Sequence, residues 1–250
     1  VYVMCVIDRP FFSWLNCAKP DIICLQETHS TSEDEFNTWV TTETTNNNNR
    51  QHYLVESSPG SARRAGVAIL YKPCFKVNEV KKDQQGRLIR IRFCHDEVES
   101  PFQVINVYGP NQKRPGQEFF ASLPSFIDPA LPTILCGDFN AVVDPYRDRS
   151  GCNPESLWAY NWPSLSSLVD RHDLVDIWRK NHPDERSYTW RRADGSQASR
   201  LDMFWLSSSL SEHVSQVDIF PFFRSDHSYV YLKVAFPSLP VRGPGAWKLN

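Results

Sequence analysis

Apolar residues in this chain come in short runs, and Pro, Gly, Asn or Asp closes almost every one. A run of that length bounded by turn residues reads as a buried strand, because a helix needs a longer stretch with apolar residues three and four apart. Candidate strands are Ile22–Leu25, Gly66–Tyr71, Leu88–Phe93, Phe102–Tyr108, Thr133–Cys136, Ser187–Trp190, Leu201–Leu206 and Ser228–Val234. Helical patterns fall between them. Ser32-Glu33-Asp34-Glu35 reads as a capping box, with Phe36, Trp39 and Val40 following at helical spacing. Phe11, Phe12, Trp14 and Leu15 suggest an earlier helix, and Pro163 to Arg171 a later one. The Asn46–Asn49 run reads as a loop. Strands and helices without strict alternation give an α+β fold, two sheets packed together with helices outside. No internal repeat or long linker divides the chain, so residues 1–236 are expected to form one domain and 237–250 the start of a linker.

Composition narrows the class. At 41% hydrophobic and 22% charged residues the chain can bury a core, and no stretch approaches the ~18 consecutive apolar residues of a membrane helix. No basic-then-apolar leader opens it, so neither a membrane nor secretion is expected. It starts at Val1 and stops at Trp247-Lys248-Leu249-Asn250, which reads as a piece of something longer. Seven cysteines, several in apolar runs and none in a C-x-x-C pair, argue against zinc or a disulfide framework and for a reducing compartment. Net charge is −2, yet residues 61–92 carry nine basic and two acidic side chains. That stripe could track phosphates or be a solvated sheet face, and the sequence does not choose between them.

The chemistry sits where strands end. Ile22–Leu25 runs into Gln26-Glu27-Thr28-His29, Phe102–Val107 into Tyr108-Gly109-Pro110-Asn111, and Thr133–Cys136 into Gly137-Asp138-Phe139-Asn140. Arg224-Ser225-Asp226-His227 stands just before Ser228–Val234. Strand ends of a sandwich meet along its edges. Carboxylates, a histidine and amides gathered there are the parts for metal-assisted phosphoester hydrolysis. One acidic residue after a strand is ordinary loop chemistry; four such sites in one arrangement are not.

Leu25-Gln26-Glu27-Thr28, Val107-Tyr108-Gly109-Pro110, Gly137-Asp138-Phe139-Asn140, Ser199-Arg200-Leu201-Asp202 and Ser225-Asp226-His227-Ser228 occur in the order found in the endonuclease/exonuclease/phosphatase superfamily. That superfamily includes DNase I and the apurinic/apyrimidinic endonucleases. Pro20–His29 and the Gly243–Asn250 ending most resemble the endonuclease domain of LINE-type, non-LTR retrotransposons. The resemblance implies a four-layer α/β/β/α sandwich of two mixed sheets, DNase I-like. It implies Mg2+, with Mn2+ as a substitute, double-stranded DNA as substrate, and a reverse transcriptase domain in the same polyprotein. It also implies action in the nucleus and residence in the cytoplasm otherwise.

Roles follow from chemistry as well as from the resemblance. Glu27 would ligate the hard cation, with Asp226 supporting the metal or the departing oxygen. Asp138 would take a proton from water, Asn140 would hold the phosphate by its amide, and Tyr108 would orient a phosphate oxygen. His227 would face the phosphate, with Asp202 holding its other ring nitrogen and raising its pKa. Which group is the general base stays open. The resemblance adds DNA contacts at Arg191, Arg192, Ser199 and Arg200, the first two on a hairpin turned by Asp194-Gly195. The chain departs from the family pattern in one place. The first strand normally ends in Asn-x-x-Gly; residues 1–19 hold no such element, although Val1–Ile7 can supply the strand and Asp8 lies in the right region. One alternative is an abasic-site endonuclease or phosphatase of the same fold; the other, supported by the absent Asn, is an impaired domain that only binds nucleic acid.

Overall fold

A computed structural model describes residues 2–5, 9–46, 52–61, 65–98, 100–151, 162–222 and 225–236. The first half of the chain forms β1 (Tyr2–Cys5), α1 (Arg9–Ala18), β2 (Ile22–Gln26), α2 (Glu33–Asn46), β3 (Leu54–Ser58), β4 (Val67–Tyr71), β5 (Phe75–Lys82), β6 (Leu88–His95) and β7 (Phe102–Tyr108). After it come α3 (Lys113–Ser122), β8 (Thr133–Asp138), α4 (Pro145–Asp148), β9 (Arg149–Ser150), α5 (Pro163–Arg171), β10 (Leu174–Asp176) and α6 (Ile177–Asn181). The last elements are β11 (Trp190–Arg191), β12 (Ala198–Ser199), β13 (Asp202–Ser207), α7 (Ser208–Ser211), β14 (Val214–Phe220) and β15 (Tyr229–Val234).

Two six-stranded sheets run β14-β15-β1-β2-β4-β3 and β10-β13-β8-β7-β6-β5. Each is antiparallel except for its middle pair, β1 with β2 and β7 with β8. A parallel pair needs a crossover, and α1 and α3 supply one on each outer face. The expected four layers of two mixed sheets are therefore present.

Alternation along the central strands builds three apolar layers. Ile22 and Cys24 of β2, Val67 and Ile69 of β4, Val104 of β7, Cys136 of β8 and Phe204 of β13 meet between the sheets. Their neighbours point outward. Ile23, Leu25, Ala68 and Leu70 pack under Phe11, Leu15, Phe36 and Val40 of α1 and α2. Ile105, Val107, Leu135 and Met203 pack under Phe120, Leu165 and Leu168 of α3 and α5. Strands buried on both faces read as continuous apolar runs, which is why the sequence exposes them.

Local signals behave as their chemistry requires. The Glu35 N–H donates to Ser32 Oγ at 3.0 Å, so Ser32 caps α2. The Glu35 carboxylate reaches back one residue further than a capping box asks, accepting from Thr31 N and Oγ1 at 2.7 Å each. Helix α5 spans the expected Pro163–Arg171. The expected strand Ser187–Trp190 is corrected to Trp190–Arg191, because Thr189 instead pairs its backbone with Ser199 and Ser228. Residues 47–49 of the asparagine run, and the expected linker 237–250, lie outside the described residues.

Five described members of the basic stripe are ion-paired, while Lys81 donates to Ser125 O and Arg87 to Tyr108 O. Arg90 meets Glu79 and Arg92 meets Asp128, each at 2.6 Å, while Lys82 lies between Glu33 and Glu56. Lys72 and Lys76 take Asp21 and Asp96. Arg63 and Arg64 lie outside the described residues.

The implied DNA contacts at Ser199 and Arg200 are also corrected. Both residues are 1% exposed, out of reach of a phosphate. Arg200 grips Asp148 through Nε and Nη2 at 2.9 Å each, and Asp176 through Nη2 at 2.6 Å. Burial opposes its charge, but Asp176 and Asp148 outweigh that and hold the guanidinium above its usual range. Arg179 adds a second cation to Asp148 at 2.6 Å. This network fastens the small sheet β11-β12-β9 to the main body. Removing one partner of a buried ion network leaves uncompensated charge, so Asp148→Ala should cost about 3–5 kcal/mol in urea unfolding, with Arg179 losing its carboxylate and Arg200 left with Asp176 alone. A loss below about 1 kcal/mol, the scale of an exposed pair, would contradict the network's role.

Candidate active site

Both parallel pairs run toward the same edge, and the site is assembled from the residues at and just beyond their ends. Glu27 comes directly after β2. Gln26 pairs with Val67, but the Thr28 N–H goes to Gly66 O and the His29 N–H to Ala65 O, each at 3.1 Å. Glu27 is thus the extra residue of a bulge, in the left-handed region at φ 55°. Gly66 opposite must be glycine: its φ is +97°, and a Cβ there would lie 2.2 Å from Thr28 Oγ1. The bulge re-aims the Glu27 carboxylate across to the second sheet. There the Tyr108 hydroxyl at the end of β7 donates to it. His29 Nε2 stands 3.8 Å from its other oxygen. Arg87 packs over the Tyr108 ring at 5.1 Å.

Tyr108 is the register partner of Asp138 on β8, and Asp138 is the partner of Asp202 on β13. Close contact between these strand ends requires Gly109, where a Cβ would lie 2.1 Å from Phe139 O. Asn140, at φ 48°, closes the turn: its N–H donates to Asp138 Oδ1 at 2.8 Å. Its side-chain amide donates to Gly109 O at 2.9 Å and to Asp138 Oδ2 at 3.2 Å. Asn140 therefore orients Asp138 in this state.

Asp138 and Asp202 are buried carboxylates directly opposite one another, an arrangement that repels unless a proton or cation intervenes. His227 supplies it. Its Nδ1 lies 2.8 Å from Asp202 Oδ2. The loop bearing it is strapped down by a bridge to Trp190 and by the Trp190 indole N–H donating to Asp226 Oδ2 at 2.8 Å. Burial works against the imidazolium, but the Asp202 charge and hydrogen bond, then Asp138 and Asp226, raise the His227 pKa to about 10. Burial, then Asp202, push Asp138 up to about 8, with Glu27 adding to the rise and His227 opposing it. Both groups bind protons more tightly folded than unfolded, so each lowers stability as pH rises. Asp138 does so between 3.8 and about 8, His227 between 6.5 and about 10.

The expected residues Glu27, Tyr108, Asp138, Asn140, Asp202, Asp226 and His227 thus form one connected group. Arg191 and Arg192 lie apart on the exposed hairpin, Arg191 over the Tyr188 ring at 5.4 Å and Arg192 Nε 3.4 Å from Asp194. Asp138, Asp202 and His227 offer ligand atoms within 4.8 Å of one another. A metal there would have to break the His227–Asp202 hydrogen bond and displace a tightly held proton, so this trio suits proton transfer. Glu27 fits a divalent cation better: a half-buried hard oxygen donor beside a cluster in which three carboxylates, Asp138, Asp202 and Asp226, act on the single imidazole of His227.

Sequence reasoning missed Gln26, Asn106 and Thr189. Thr189 Oγ1 accepts the N–H groups of Leu201 and Asp202 at 2.9 and 3.0 Å, and its carbonyl accepts Ser228 N–H at 2.6 Å. The available signal was an amide inside an otherwise apolar strand, as at Asn106.

Asp202→Asn removes the main support of the imidazolium and one cause of the raised Asp138. In NMR titrations of the metal-free protein, His227 should fall from about 10 toward 6.5 and Asp138 should fall from about 8. A histidine still titrating near 10 in the variant would refute the assignment.

Comparison with known proteins agrees with this geometry. The model of the Endonuclease/Exonuclease/phosphatase family matches residues 9–227. The chain is 31% identical over 238 residues to the transposon TX1 uncharacterized 149 kDa protein of Xenopus laevis, covering 91% of this chain and 17% of that protein. It is 24% identical over 250 residues to a DNA-(apurinic or apyrimidinic site) endonuclease of Dictyostelium discoideum, covering 89% of this chain and 65% of the relative. It therefore spans less than two thirds of either relative. The crystal structure of AP endonuclease LMAP from Leishmania major superposes with a TM-score of 0.74 at 19% identity, over 94% of this chain and 87% of that one, a likeness of fold. The chain belongs to the endonuclease/exonuclease/phosphatase family, a family of phosphodiesterase and nuclease enzymes.

Proposed function

We propose that this chain is a Mg2+-dependent endonuclease that nicks one strand of double-stranded target DNA for retrotransposon insertion, leaving a 3′ hydroxyl to prime reverse transcription. The observation that carries the chemistry is the line Glu27–Tyr108–Asp138–Asp202–His227, which joins a hard oxygen donor to a proton-holding pair. The retrotransposon part rests on the 31% identity to the TX1 transposon protein. The reading includes a reverse transcriptase domain in the same polyprotein and action in the nucleus. No described helix is long and apolar enough to cross a membrane.

In this reading Glu27 and Asp226 hold the cation, Mg2+ or in its place Mn2+, which supplies Lewis-acid stabilisation of the phosphoryl charge. Asp138, with a pKa near working pH, accepts the proton of the attacking water. The protonated His227, held through Nδ1 by Asp202, presents its other N–H to a phosphate oxygen. The Asn140 amide turns from Asp138 to a second phosphate oxygen. Water forms the new bond to phosphorus as the bond to the 3′ oxygen breaks, and that oxygen takes a proton from solvent to become the 3′ hydroxyl. The phosphate stays on the 5′ side.

Glu27→Gln keeps the side chain's shape but removes the negative oxygen a hard cation prefers. Plasmid nicking should fall by orders of magnitude with the fold intact by circular dichroism, and Asp138→Ala and His227→Ala should behave similarly. Full nicking in EDTA would overturn the metal reading. No magnesium-dependent nicking, with DNA binding retained, would favour the impaired binding domain that the absent Asn-x-x-Gly suggests.

The exposed turn at Asp194-Gly195, with Gly195 at φ 71° and its N–H on Arg192 O at 2.8 Å, supports a hairpin that offers two exposed arginines to DNA. Arginine favours the narrow, strongly negative minor groove of A·T stretches. Replacing Arg191 and Arg192 with Ala should therefore change which sites are cut more than how fast a preferred site is cut. An unchanged cleavage map would exclude the hairpin from target choice.

A further inference from the structure

Between the two sheets, in an otherwise apolar layer, lies a pair of amides. Gln26 at the end of β2 and Asn106 on β7 are both fully buried. Gln26 Nε2 donates to Asn106 Oδ1 at 2.6 Å. Asn106 Nδ2 donates to Leu25 O at 2.8 Å and Ala68 O at 3.0 Å, two carbonyls of the facing sheet. Cys24, Val67, Ile69, Val104 and Cys136 surround the layer, so apolar packing suffices to join the sheets. Amides here must recover their desolvation through these hydrogen bonds and add little to stability beyond that. What they add is direction. Apolar contact tolerates sliding, whereas two hydrogen bonds fix the end of β2 against β7, and a third ties β7 to the adjacent β4, in one register.

We propose that Gln26 and Asn106 are positioning residues for Glu27, setting where its carboxylate stands and so how well the site takes a divalent cation. The next residue after Gln26 is Glu27, which leaves the strand in a left-handed bulge and has no ladder partner of its own to hold it. Two residues after Asn106, on the same face of β7, comes Tyr108, whose hydroxyl binds the Glu27 carboxylate. A single strand of the second sheet thus holds Glu27 at its root and at its tip. A slip of β2 against β7 would carry the carboxylate away from the Tyr108 hydroxyl that holds it. The proposal rests on the reading of Glu27 as the metal ligand.

The test is the double variant Gln26→Met with Asn106→Leu, which swaps the pair for apolar groups of similar volume, beside Gln26→Met alone, which leaves Asn106 its bonds to Leu25 O and Ala68 O. Mg2+ binding to the DNA-free protein is measured by calorimetry, and stability by thermal unfolding without metal. The Gln26–Asn106 bond is lost without stranding either partner, but Leu25 O and Ala68 O lose their bonds from Asn106, so the double variant should melt somewhat below the wild type while still unfolding cooperatively. Its Kd for Mg2+ should rise about tenfold or more, and that of the single variant several-fold. Wild-type Mg2+ affinity in the double variant, or in the single variant should the double not fold, would overturn the proposal. Glu27→Gln separates the two ideas. If it abolishes Mg2+ binding while the amide variants change nothing, the positioning role alone falls. If it leaves binding untouched, the metal reading falls and takes the proposal with it.

Discussion

Asp138 and Asp202 face each other across β8 and β13, buried, with His227 as their intervening cation. Two carboxylates in that position would separate the strands if nothing carried positive charge between them. The imidazolium resolves the conflict, and its requirement propagates outward. His227 must come from a loop that reaches the strand ends, and that loop is held by the Trp190 bridge and by Ser228 N–H on Thr189 O. Thr189 also receives Asp202 N–H. The segment before the hairpin therefore governs both members of the pair, and the hairpin is anchored in turn through the Arg200–Asp148–Asp176 network.

The two parallel strand pairs explain why the site lies where it does. A sheet that is otherwise antiparallel scatters its loops over both edges. A middle pair of parallel strands sends two strand ends to the same edge, and here each sheet has one such pair. Glu27 follows β2, Tyr108 ends β7, and Asp138 and Asn140 finish β8. The fourth of these ends is that of β1, where the family pattern sets the Asn that this chain lacks.

Much of the fold was legible because its central strands are buried on both faces. Thr133–Cys136 and Phe102–Tyr108 are unbroken apolar runs apart from amides that turned out to matter. The edge strands β3, β5 and β14 were not read, since they alternate with solvent and carry charges such as Lys76, Glu79 and Asp218. Edge strands need that polarity to discourage further pairing, and it disguises them as loops. The candidate site residues were named from their places after strands. Ser199 and Arg200 were misjudged because the resemblance supplies the order of a motif but not which of its side chains face the interior.

The sequence alone determined the layers: periodicity decides which strands are covered on both sides, and turn residues decide where each stops. It also determined the inventory of the site, because carboxylates, amides and a histidine at strand ends have few other uses in such number. Tertiary structure decided what those groups do to one another. The pKa of about 10 at His227 comes from carboxylates that outweigh its burial, and that of about 8 at Asp138 from burial and the facing Asp202; in both cases Asp202, on another strand, is the leading charge, which no linear order contains. The same holds for the assignment of Arg200 to the interior and for the amide pair behind Glu27. Gln26 and Asn106 are 80 residues apart, and only the packing of one sheet on the other makes them a pair.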